Sequence, residues 1–221
     1  MKKIATLALT LALGGSALFA LEEDWFTIGF EFSNYIEHSS DGTKYIGGPG
    51  INVKGYSFND NHDIGFFILS SILFPLIGIE DETFSLQDDI IVGPGFRYRF
   101  SDRLALHFGA GIDFLFGLSL NTKDQINYTR LYINWGIGGD LGLKFDISDV
   151  IYIDLGTSLS CFFLGYESLT KSFKRDDATT VQTDLGSGRI QDFVSFGIKP
   201  YIGIGFNVYQ EKPIRGKPPK N

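Results

Sequence analysis

The chain has 221 residues, of which 15% are aromatic and 20% charged, with 27 glycines, one cysteine and a formal net charge of −7. An acidic balance without a basic stripe excludes a nucleic-acid partner, and a single cysteine excludes an internal disulfide. Abundant glycine beside many aromatics and few charges is unusual for a soluble enzyme; it suits a wall that is greasy outside and cramped inside.

Met1-Lys2-Lys3, an apolar stretch from Ile4 to Leu13 and the small residues Gly14, Gly15, Ser16 and Ala17 follow the order of a secretory signal peptide. We expect it over residues 1–20, with cleavage after Ala17 or Ala20. The apolar run is shorter than the ~20 residues of a spanning helix. No cysteine follows it to carry a lipid, and losing Lys2 and Lys3 takes the charge from −7 to −9. The remainder, 21–208, reads as one domain.

A first strand sets Phe26, Ile28, Phe30 and Phe32 against Thr27, Gly29, Glu31 and Ser33. A fainter one sets Ile51 and Val53 against Asn52, Lys54 and Tyr56. From Ile64 to about Ile72 apolar residues occupy both faces; the run on to Ile79 holds Gly65, Pro75 and Gly78, so it predicts a strand passing into a hydrophobic loop rather than a helix. Ile90, Val92, Pro94, Phe96, Tyr98 and Phe100 then alternate with Ile91, Gly93, Gly95, Arg97 and Arg99, and Pro94 predicts a bulge.

The clearest alternation runs from Leu104 to Leu120, with Leu106, Phe108, Ala110, Ile112, Phe114, Phe116 and Leu118 on one face. Soluble strands usually stop near ~5–6 residues, whereas about 9–11 tilted residues cross a bilayer. The same pattern returns from Leu131 to Phe145, from Ile151 to Phe163 and from Val194 to Val208. That makes eight strands, an even number, and predicts an all-β fold: an eight-stranded antiparallel transmembrane β-barrel of the outer-membrane type.

The face opposite the apolar one is crowded with glycine, which fits the interior of a narrow barrel. It also carries Glu31, Asp113, Asp140 and Asp154 against Lys54, Arg97, Arg99, Lys144 and Lys199, with His107 among them. Ion pairs filling the lumen are expected, with a conducting path as the alternative. Connections after Phe58, Phe100 and Phe145 are short, while 36–48, 73–88, 121–129 and 165–190 read as long surface loops. Trp25, Phe26, Phe100, Phe145 and Phe206 are expected in one interfacial belt, and Phe116, Tyr128, Phe163 and Tyr166 in the other.

The ending Tyr201-Ile202-Gly203-Ile204-Gly205-Phe206-Asn207-Val208 resembles the last-strand signal read by barrel assembly machinery, carried here by Tyr201, Gly203, Phe206 and Val208. With the strand count, the chain looks like a small outer-membrane protein, similar to the outer membrane protein A, X and W families, over roughly residues 22–208. That resemblance implies the bacterial outer membrane, with its lipid and the assembly machinery as partners. Residues 209–221, with Lys212, Arg215, Lys217 and Lys220 among prolines, read as a disordered basic periplasmic tail.

Chemistry is sparse. His38, His62 and His107 form no triad and no metal-ligand spacing, so no catalytic residue, cofactor or metal is assigned and the chain reads as a non-enzyme. Asp88-Asp89 and Asp176-Asp177 fall in expected surface loops, where such pairs can attract calcium but read first as solvated acids. Two functions stay open. One is a narrow porin-like channel for small hydrophobic molecules with Leu73, Phe74, Leu76 and Ile77 as its lip, as the W-type resemblance implies. The other is a sealed barrel whose loops, chiefly Tyr166 to Arg189, bind a surface partner.

Overall fold

The computed structural model describes residues 23–58, 63–77, 84–123, 126–174 and 180–209. Nine strands follow one another: β1 (Glu23–Ser39), β2 (Gly42–Phe58), β3 (Ile64–Leu73), β4 (Phe84–Ser101), β5 (Leu104–Lys123), β6 (Ile126–Asp146), β7 (Ile151–Lys174), β8 (Thr180–Arg189) and β9 (Val194–Tyr209). The signal peptide and the basic tail lie outside the described residues.

Side-chain period 2 decides the faces. On β6, Tyr132, Asn134, Asp140 and Lys144 are buried, whereas Leu131, Trp135, Ile137, Leu141, Leu143 and Phe145 are exposed. Every strand from β1 to β7 pairs antiparallel with the next, and β9 closes the ring onto both β7 and β1. Eight strands therefore enclose a lumen, with an outward apolar band that only lipid would cover. No helix of the described residues is long and apolar enough to cross a membrane.

β8 stands outside this ring. It pairs with the Tyr166–Lys174 portion of β7, while β9 pairs with the Ile151–Phe162 portion. Two strands thus share one edge of β7 in succession. Between them, Asp192 takes a positive φ of 52° and Phe193 turns inward.

Three of the four segments expected as long loops are strand extensions. β1 and β2 stay paired to Ser39↔Gly42, β5 and β6 to Lys123↔Ile126, and 165–190 is mostly the β7–β8 hairpin. Near Pro94 the β4–β5 ladder lapses between Val92↔Ile112 and Gly95↔Gly109 without a change of register. The lapse coincides with a proline that has no N–H to donate, so the expected bulge is not formed. A shift occurs instead between Trp135 and Gly136 of β6, where Phe163 is the extra residue on β7.

β3 ends early, and the chain after it folds back on β2. Phe74 N donates to Pro49 O at 3.0 Å and Leu76 N to Gly47 O at 2.7 Å. A Cβ at Gly48 would sit 2.2 Å from Phe74 O, so this approach requires glycine.

Candidate functional site: the lumen

Two aromatic and aliphatic layers plug the barrel. Trp25, Tyr56, Phe58, Phe67, Leu69, Ile91 and Tyr152 fill the end where β1 begins and β9 finishes. Tyr35, Leu73, Leu115, Tyr132, Phe162 and Phe193 fill the end toward the hairpins. The inward glycines provide the room: a Cβ at Gly117 would lie 1.9 Å from the Tyr132 ring. Trp25 therefore belongs to the lumen and not to an interfacial belt, because it shares the inward parity of Thr27 and Glu31.

In the lower lumen, Lys54 lies 3.1 Å from Asp140 Oδ2 and 2.8 Å from Asp154 Oδ2. It also meets the Tyr201 hydroxyl and stands 4.0 Å from that ring's centroid. His107 sits between the same two acids, with Nε2 3.0 Å from Asp154 and Nδ1 3.3 Å from Asp140. Tyr56 donates to Asp140 at 2.8 Å, and Thr27 to Asp154 at 3.1 Å. The mouth below carries Arg97 on Asp63 and Lys144 on Asp146.

Higher up, Lys199 pairs with Asp89, which also accepts from Tyr35 at 2.8 Å and from Ser160 at 3.1 Å. Glu31 accepts from Ser33, Asn52 and Ser71, each at 3.0 Å. Asp113 faces this cluster. Toward the hairpins, Arg130 donates to Glu167 at 2.8 Å above Tyr132.

Of the charges assigned to the lumen from the sequence, Glu31, Lys54, Arg97, His107, Asp113, Asp140, Lys144, Asp154 and Lys199 are buried. Arg99 is not: it shares their parity but lies past the wall, at the exposed end of β4. Leu73 is no lip residue, since it is 2% exposed in the upper layer; Phe74, Leu76 and Ile77 lie exposed near it. Tyr201 serves the lumen, while Phe206 and Val208 point outward beside the apolar band. The residue missed was Asp89. It sits on the inward face of β4 with Ser85, Gln87 and Ile91, whereas Asp88 faces outward and accepts from Ser70 at 3.1 Å.

The middle of the lumen is closed to outside solvent. Lys54, Asp154, Ser158, Asp113 and Lys199 are each at most 1% exposed, and a water-filled bore would leave them accessible. Charges held so far from solvent need partners, and in the lower cluster Lys54 and His107 supply the counter-charges of Asp140 and Asp154.

No family model and no curated protein sequence matches the chain. Solved structures do. A major outer membrane protein from Thermus thermophilus aligns at 11% identity and a TM-score of 0.50, covering 84% of this chain and 99% of that one. Neisserial surface protein A aligns at 9% identity and 0.48, covering 82% and 96%. Ail, the attachment invasion locus protein of Yersinia pestis, aligns at 15% identity and 0.48, covering 85% and 99%. At these identities the likeness is one of fold: the chain is an outer-membrane-type β-barrel.

Proposed function

We propose that this chain is an integral protein of the bacterial outer membrane whose closed barrel anchors a binding hairpin at the cell surface. The observation that carries the reading is the pairing of β8. Among the described residues its one partner is β7, and its side chains from Gln182 to Arg189 are exposed. A strand with a free edge offers a row of backbone donors and acceptors, and extended peptides bind such edges by adding a strand. Both described termini lie at the other end of the barrel, which we take as periplasmic, with Phe206 and Val208 of β9 as the signal for assembly machinery.

The passive-channel reading is the weaker one. Two packed layers and a mid-lumen out of reach of solvent oppose an aqueous pore. A planar-bilayer recording of the refolded barrel tests this directly. Silence from a folded barrel is expected; reproducible discrete openings would overturn the closed-lumen reading. Surface binding is tested on cells displaying the barrel, with the β7–β8 hairpin present or trimmed, against immobilised extracellular-matrix polypeptides. Equal binding by both forms would remove the hairpin as the working part.

A further inference from the structure

β8 continues the column of β9 toward the hairpins, because both pair with the same edge of β7, at Tyr166–Lys174 and at Ile151–Phe162. β1 is the next strand beyond β9, and its ladder with β9 ends at His38↔Val194. A strand added to the free edge of β8 would therefore stand over the end of β1, where Ser40 N donates to Gln191 O at 3.2 Å. The side chains of such a strand alternate between the outside of the barrel and its upper mouth.

The upper mouth beneath that column holds Glu37. It shares the inward parity of Tyr35 on β1, stands opposite Ser195 of β9 and is 9% exposed. Among the described residues no hydrogen bond or ion pair reaches its carboxylate. Two cations stand near it, and neither is bound to it. Arg130 donates to Glu167 at 2.8 Å and lies over the Tyr132 ring. Lys44, opposite Glu37 in the β1–β2 ladder, is exposed. Glu167 is itself close enough to add its negative charge to that of Glu37. A carboxylate withdrawn from water without a bonded counter-charge is costly, and an arriving cation would relieve it.

Room for that cation is built in. The inward positions of β8 nearest the mouth are Gly186 and Gly188, opposite Leu169 and Glu167 of β7. A Cβ at either would meet nothing within 4 Å. The space over the mouth is thus bordered by two acids and left open by two glycines. Below it lies the apolar layer of Tyr35, Phe162 and Phe193, with Ile46 and Ile190 against it. That floor suits the methylene stem of a long basic side chain, which carries its charge at the tip.

We propose that the partner strand of β8 is an extended polypeptide presenting a lysine or arginine inward at its end nearest the membrane, and that Glu37 is the acid that selects it. This rests on the edge-binding reading above and adds the chemistry of the occupant. Backbone pairing to β8 is indifferent to sequence; the acid at the mouth gives it a preferred residue and a register.

The test uses short blocked peptides of alternating Val and Ser, in which one Ser is replaced by Lys or by Gln at successive positions along the peptide. Their affinity for the lipid-reconstituted barrel is read by fluorescence anisotropy. At one position the Lys peptide is expected to bind about tenfold more tightly than its Gln counterpart, the scale of a hydrogen bond to a charged group. Glu37→Gln erases that difference while the Gln peptide binds as before; the carboxylate holds nothing else in place, so the variant folds, which heat-shifted mobility on gels checks. Lys44→Met removes the competing local cation and widens the difference. Equal affinity of Lys and Gln peptides at every position, on a barrel that loses both when residues 170–187 are removed, would overturn the proposal. The edge-binding reading would then stand, with Lys44 as the counter-charge of Glu37. A Lys preference unchanged in Glu37→Gln would overturn the proposal too, by placing the selecting acid elsewhere. No binding, or binding that does not depend on the hairpin, would overturn the edge-binding reading itself and this proposal with it.

Discussion

Lys54 of β2 reaches across the barrel to Asp154 of β7, 2.8 Å away, although β1 and β9 stand between those strands in the ring. The ion pair is therefore a strut across the lumen and not a contact between neighbours. Lys54→Met leaves Asp140 and Asp154 without their main counter-charge. Breaking a buried pair from one side costs about 3–5 kcal/mol. We expect a loss of that order in urea unfolding of the lipid-reconstituted barrel, with much of it restored when Asp140→Asn and Asp154→Asn are added. A loss below ~1 kcal/mol would mean that the strut contributes little.

Gly117 lies opposite Tyr132, whose ring occupies the space of the missing side chain. Gly117→Val forces that ring to move and is expected to cost about 1–3 kcal/mol or more. Tyr132→Ala empties the same space, at its own cost in packing. The double variant should be more stable than the sum of the two losses, and a double-mutant cycle on unfolding free energies measures the coupling. Strict additivity would contradict the packing described.

Ile137 stands on the outward face of β6 and is 60% exposed, at the height where the wall carries only apolar side chains on the neighbouring strands. Ile137→Arg should destabilise the barrel by about 2–4 kcal/mol in vesicles. Leu185→Arg, on the exposed hairpin strand β8, should stay within about 0.5 kcal/mol. Equal effects at the two positions would place the membrane boundary wrongly.

Trimming the hairpin should leave closure intact. β9 takes its hydrogen bonds from β1 and from the Ile151–Phe162 part of β7, none of which involves β8. A chain lacking residues 170–187 is expected to fold with the unchanged resistance to detergent unfolding that marks a closed barrel on gels. Failure to fold would show that β8 helps to register the last strand.

Much of this architecture was legible in the sequence, and the parts that were not have a common cause. Inward charges such as Asp140 and Lys144 sit in register with greasy neighbours, so period 2 exposes them. Beyond the apolar band the ladder continues while its chemistry changes. From Ser168 to Lys174, and from Thr180 to Arg189, neither face is consistently apolar, because water bathes both; hydrogen bonding alone makes those strands. Asp89 was lost in the same way, since Ser85, Gln87 and Asp89 mark an inward face by polar residues only. Trp25 was misplaced by the habit of aromatics to sit at interfaces, although its position beside Thr27 already gave its side.

The hand-over from β8 to β9 along one edge of β7 has a consequence for how the molecule can change. The hairpin between Gly165 and Ile190 starts at the junction where Ile190 N donates to Gly165 O at 2.8 Å; its β7 arm stays paired with β6 as far as Ile126↔Phe173, and β8 adds to the other edge of that arm. Insertions, exchanges or grafted epitopes placed above that junction would be carried outward without altering the shear or the circumference of the barrel. The fold is thus a ready display scaffold, in which one hairpin is free to vary in length and sequence while the other seven strands and the closing seam keep their register.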